Sequence, residues 1–266
     1  MALTPFQREI LLRLAQQRRE RGESYVAGGI ALNTLLSAPR RSRDIDLFHD
    51  TEAALAATWT ADRGLLAANG FGVSPVREAA SFVEAIVSKG NDRTAMQWAR
   101  DSAFRFFPLI EDDIMGLALH PFDLATNKVL AMAGRLEVRD WVDALSCDES
   151  LQPLGYLLWA ACGKDPGYNP RSLLAAARRL HYSQVEVDTL DFAAGRPDAA
   201  RLGTRWHATL AEAERIVACL PPKEAGNASS RARRCCFAAL PPPSQTPCRR
   251  ARSCSTRAAS AAPGPA

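Results

Sequence analysis

The sequence predicts an α/β (α+β) half, roughly residues 20–120, followed by a helical half that reaches about residue 222. Three observations carry that prediction. A short apolar run ends at Gly28-Gly29 and opens a helix-like segment, the pattern of a strand feeding a helix. An acidic–apolar alternation, Asp44-Ile45-Asp46-Leu47-Phe48, follows soon after it. Beyond Asp123 only helical periodicity remains. The 266 residues are 47% hydrophobic and 23% charged with a formal net charge of +4, an ordinary globular composition with room for one or two domains. No stretch approaches the length of a membrane helix, and no charged start precedes an apolar core, so a cytoplasmic protein without a membrane partner is expected.

Taken in order, Thr4-Pro5 is a helix start, and Phe6, Ile10 and Leu14 recur behind it at four-residue spacing. That helix runs to about Glu23, with Arg13, Arg18, Arg19 and Arg21 read as a solvated face suited to the negative helix end. Residues 24–27 read as a strand, 30–36 as a helix, 44–48 as a strand and 52–68 as an alanine-rich helix closed by Asn69-Gly70. Residues 81–88 and 93–99 form a hairpin pattern about Gly90-Asn91, and 103–109 is a further candidate strand. Helices are expected over 124–133, 136–145, 153–161, 172–180 and 204–220. Leu154, Tyr156, Leu157, Leu158 and Trp159 read as core, with a partner-binding face as the alternative.

The charge is uneven. From Lys223 onward there are eight basic residues and one acid, Glu224, so the body before it is mildly acidic. Residues 223–266 are otherwise Ala, Pro and Ser, without the periodicity a core needs, and read as a disordered tail; an arginine-rich nucleic-acid arm is the functional alternative. Four of the seven cysteines (Cys235, Cys236, Cys248, Cys254) fall there, and no Cys-x-x-Cys occurs, so neither a disulfide framework nor a zinc site is expected. The four histidines are equally scattered.

The chemistry concentrates where strand, glycine pair and acidic strand meet. Gly28 and Gly29 carry no side chain, so their amides can approach a ligand, and a helix start adds positive potential for phosphate. Asp44 and Asp46, two apart on a strand, point the same way. Two carboxylates on one face call for a cation, and oxygen-only ligands suit magnesium; an edge strand with a wet face is the plainer alternative.

Gly28-Gly29-Ile30-Ala31-Leu32-Asn33 followed by Ser42-Arg43-Asp44-Ile45-Asp46-Leu47-Phe48 resembles the nucleotidyltransferase superfamily that includes DNA polymerase β, and within it the AbiEii/AbiGii toxin branch. A second block agrees: Asp123-Leu124-Ala125-Thr126-Asn127-Lys128, then Arg139-Asp140-Trp141-Val142-Asp143. The resemblance spans roughly residues 20–220. It implies a nucleotidyltransferase-fold mixed sheet with flanking helices as a catalytic domain over 1–120, a helical domain over 121–222 and the tail over 223–266. It also implies Mg2+-dependent transfer of a nucleoside monophosphate from an NTP to an RNA (tRNA) or protein acceptor, in a toxin–antitoxin or phage-defence setting with an antitoxin as possible partner. Gly28 and Gly29 would then hold the triphosphate, with Ser42 and Arg43 flanking it. Asp44 and Asp46 would hold two metal ions, Lys128 would meet the triphosphate as a point charge, and Asp140 would be a site residue. Asp143 could equally pair with Arg139 or Lys128.

One departure matters. The superfamily takes a third carboxylate from a later strand, and there this chain has Gln97. Glu84 and Asp101 are the candidates to replace it, with Asp101 preferred. Two other functions stay open: transfer to a small antibiotic-like molecule, and a non-catalytic nucleotide- or partner-binding module, which Gln97 favours.

Overall fold

Thr4 organises the start of the chain. Its hydroxyl accepts from Gln7 N while its own amide donates to the Gln7 side chain, a capping box that opens α1 (Pro5–Arg21) with proline in the first turn. Gly22, at φ 69°, ends the helix. Ile10, Leu11 and Leu14 are fully buried. Arg18 corrects the expected solvated face: it is only 3% exposed and donates to Met115 O at 2.7 Å and Ser24 Oγ at 3.1 Å. The reason is periodicity, because position 18 follows Leu14 by one turn and shares its buried side. The structure, a computed structural model, describes residues 2–229 and 255–256.

Seven strands form one mixed sheet: β1 (Tyr25–Ala27), β2 (Asp44–His49), β3 (Gly72–Ala79), β4 (Phe82–Lys89), β5 (Asp92–Arg100), β6 (Ile110–Asp112) and β7 (Gly116–Ala118). Their order is β3-β4-β5-β2-β1-β7-β6. The β2–β5 and β1–β7 pairs are parallel and the others antiparallel. Helices α2 (Gly28–Leu35) and α3 (Glu52–Ala68) lie between early strands in sequence. Alternation along β2, β4 and β5 buries Ile45, Leu47, Val83, Ala85, Val87, Met96 and Trp98 on one face. Trp98 ties that face to α3, its indole donating to Asp62 Oδ2 at 2.9 Å with the Trp59 ring 4.8 Å away. The opposite face carries the half-buried Asp44, Asp46, Glu84 and Gln97.

Three differences from the sequence reading have physical causes. Residues 103–109 are not a strand, because the amides of Phe106 and Phe107 donate to the Asp123 carboxylate (2.8 and 3.0 Å) rather than to a ladder. β3 was not expected because it is an exposed edge strand with a register shift between Pro75 and Arg77, so no apolar alternation marks it. The three-residue strands β6 and β7 are too short to show a period.

The chain divides into two compact units, one built on Met1–Leu124 with Val185–Pro197, the other on Ala125–Gln184 with the segment from Asp198. Val185–Pro197 is tied to the first unit through Ala193 N to Pro39 O (2.8 Å) and Arg41 N to Asp191 O (2.8 Å). The later helices are α4 (Pro121–Arg135), α5 (Val138–Ser150), α6 (Leu154–Ala161), α7 (Pro170–Ala177), α8 (Gln184–Val187) and α9 (Ala199–Cys219). Every residue of α6 is buried, as the sequence predicted for a core helix. Gly155 lets α9 approach it, since a Cβ there would meet Ile216 Cβ at 2.7 Å. Among the described residues no helix is long and apolar enough to cross a membrane.

The packed chain runs past the expected start of the tail. Glu224 O accepts from the Trp159 indole at 2.9 Å, Gly226 N donates to Trp159 O at 2.9 Å, and Ala228 is buried. The arginines and cysteines of the proposed nucleic-acid arm, from Arg231 to Cys254 and Arg257, lie outside the described residues.

Candidate active site

The first unit brings the glycine pair against the acidic strand. Ala27, the last residue of β1, pairs with Asp46, so the chain turns into α2 beside that carboxylate. Gly28 makes the turn at φ 65°, and a Cβ on it would fall inside the Asp46 carboxylate. Glycine is therefore required by conformation and by space at once. A Cβ on Gly29 would meet Arg40 Nη2 at 2.6 Å and Ser42 Oγ at 3.0 Å. The N-cap of α2 is Ala27, whose methyl side chain makes no cap bond to the first amides of the helix.

Asp44 and Asp46 share the half-buried face as expected, on the same side as Gln97 and Glu84. Ser42 lies against Gly29, and its carbonyl is fixed by Gln7 Nε2 at 2.9 Å. Arg43 does not join them: its guanidinium donates to Thr189 O at 2.9 Å, and its carbonyl accepts from Thr94 Oγ1 at 3.0 Å. Arg40, which the sequence reading did not single out, takes the place beside Gly29. It is 5% exposed and donates to Arg41 O at 2.9 Å. The basic run Pro39-Arg40-Arg41-Ser42-Arg43 was the available signal.

Asp101 is not brought to the pair. It lies beyond the end of β5, its amide donating to His49 O and its carboxylate accepting from Ser102 N at 2.8 Å. Gln97 is level with Asp46, which puts Asp101 roughly 13 Å further along the strand. Glu84 is directly across from Gln97.

The donor set suits a hard divalent ion: two half-buried carboxylates on one face. Among the described residues no three His, Cys, Asp or Glu side chains converge as a metal cluster. An ion there would complete its shell with phosphate, amide and water oxygens.

In the second unit Lys128 and Asp140 come together. Lys128 is 7% exposed, and its Nζ lies 2.9 Å from Asp140 Oδ1 and 3.1 Å from Asp143 Oδ2. Asp143 thus pairs with Lys128, and neither aspartate is exposed. Arg135 binds Asp140 from the other side with two bonds of 2.6 and 2.9 Å. Burial pushes the Asp140 carboxyl up, but the Arg135 hydrogen bond and the Lys128 charge outweigh it and hold it below the ordinary carboxylate value.

No family model and no curated protein matches the chain. Solved structures do. MenT4, a nucleotidyltransferase toxin from Mycobacterium tuberculosis, matches with a TM-score of 0.53 and 16% identity, covering 86% of this chain and 88% of its own. JHP933 from Helicobacter pylori matches with a TM-score of 0.50 and 15% identity, over 79% of this chain and 90% of its own. This chain shares the fold of these structures. A second H. pylori structure shares that fold with a TM-score of 0.51 and 14% identity, over 82% of this chain and 99% of its own.

Proposed function

We propose that this chain is a metal-dependent nucleotidyltransferase of the AbiEii type, moving a nucleoside monophosphate from an NTP to an RNA (tRNA) or protein acceptor as the toxin of a toxin–antitoxin or phage-defence pair. The observation that carries the reading is the Asp46 carboxylate packed on the positive-φ turn at Gly28, with Asp44 on the same face. In the reaction an acceptor nucleophile attacks the α-phosphorus, the bond to the bridging oxygen breaks, and pyrophosphate leaves. The first amides of α2, with Arg40 and Ser42 beside Gly29, would hold and orient the triphosphate. Asp44 and Asp46 would hold Mg2+, which when bound shields the phosphate charge and lowers the acceptor's proton affinity. Lys128, which the resemblance assigns to the triphosphate, is held by Asp140 and Asp143 within the second unit.

The test is label transfer from each α-phosphate-labelled NTP, with Mg2+, into bulk tRNA, a cell protein fraction or the enzyme itself. Transfer into one fraction, lost in Asp46→Ala, is the expected result. Transfer that persists in Asp46→Ala overturns the site. A second reading, a nucleotide-binding module without catalysis, is favoured by Gln97, a neutral amide, standing level with Asp46, and NTP binding without any transfer would establish it.

A further inference from the structure

Across the open face of the sheet, one row of paired residues runs Ala27, Asp46, Gln97, Glu84, Arg77. Gln97 is flanked by Asp46 on β2 and by Glu84 on β4. Its Nε2 lies 3.5 Å from Glu84 Oε1, a long contact that only the amino end of the amide can make favourably, because a carboxylate accepts and does not donate. With that end drawn to β4, the carbonyl oxygen is left for the β2 side, where Asp46 stands. Neighbouring strands lie about 4.8 Å apart, so Gln97 reaches an ion shared with Asp46, whereas Glu84 starts about twice as far away. Arg77, opposite Glu84, places its guanidinium 5.4 Å over the Phe82 ring.

We infer that Gln97 supplies a neutral amide oxygen to the ion held by Asp44 and Asp46, and that Glu84 is a positioning residue fixing which end of that amide faces the ion. The inference rests on the metal-dependent reading above and goes beyond it. It resolves the choice between Glu84 and Asp101: neither replaces the third carboxylate as a ligand, and Glu84 acts through Gln97. A site with two charged ligands and one neutral one holds a divalent ion more weakly than three carboxylates would, so the ion is retained chiefly together with the triphosphate.

The test measures Mn2+ binding to the full chain without nucleotide, from the loss of the free-ion electron paramagnetic resonance signal, with circular dichroism as the check on folding. Gln97→Glu is expected to tighten binding about tenfold, and Gln97→Leu to weaken it about tenfold. Glu84→Ala is expected to weaken it severalfold, because the amide loses its orientation, and Gln97→Glu added to Glu84→Ala is expected to restore it, since a carboxylate has no wrong end. Gln97→Leu binding Mn2+ as the wild type does overturns the ligand role. Glu84→Ala without effect, in a chain whose Gln97→Leu is weakened, overturns the positioning role. Asp46→Ala separates the two levels: if it binds Mn2+ like the wild type, the metal site itself falls, and if it is weakened while the Gln97 variants are unmoved, only this inference falls.

Discussion

Gly28 and Gly22 have nearly the same backbone angle, φ 65° and 69°, in different surroundings: nothing lies within 4 Å of a Cβ on Gly22, whereas one on Gly28 meets Asp46. Gly22→Ala is therefore expected to cost about 1 kcal/mol, the price of the left-handed backbone, and Gly28→Ala clearly more; urea unfolding of both measures the difference. His49 makes a second prediction. Burial pushes its imidazole down to about 4 from 6.5, the Arg18 charge adding to this and the Ala99 carbonyl opposing it. The unfolded chain then binds the proton more readily, so stability is full above pH 6.5 and falls as the pH drops towards 4, by about 3 kcal/mol. His49→Leu should flatten that part of the pH–stability curve. At this scale the sequence was most informative where a residue's chemistry is local. Gly28, Asp44 and Asp46 were legible because spacing on a turn and a strand fixes their faces. Arg40 and the orientation of Gln97 were not, since a buried arginine among surface ones and a cross-strand amide depend on partners far away in the chain.

Helices α4 and α5 are joined by a buried ionic cluster whose worth lies in its completeness. Lys128→Met leaves Asp140 with Arg135 alone and Asp143 without its lysine, and is expected to destabilise the chain by about 3–5 kcal/mol in thermal or urea unfolding. Lys128→Arg keeps the charge and should recover part of that loss, which separates the structural role of the cation from a role on phosphate read by label transfer. α1 was legible from its cap and apolar spacing and α3 from its alanine-rich run, whereas α9 begins at Ala199 behind an Asp198 cap, five residues before the expected start at 204. Residues 103–109 were misread as a strand because their apolar run satisfies its amides on Asp123, a side chain no periodicity reveals.

At the scale of the whole molecule, the second unit is completed by a segment whose composition reads as tail. Gly226, at φ 93°, packs against Gly163 so closely that a Cβ would lie 2.9 Å from the Gly163 Cα. Gly226→Ala, and separately a chain ending at Pro221, are expected to lower the melting temperature, because each undocks Glu224 and Ala228 from α6. The mixed sheet has a kinetic consequence of its own. β1, which delivers the glycine turn, is paired on one side with β2, close in sequence, and on the other with β7, made much later. During synthesis the acidic strand and its glycine turn can meet while β1 still presents a bare row of amides and carbonyls, an open edge able to recruit a second chain. The arrival of Gly116–Ala118 covers that edge, as the arrival of β5 covers the free edge of β2.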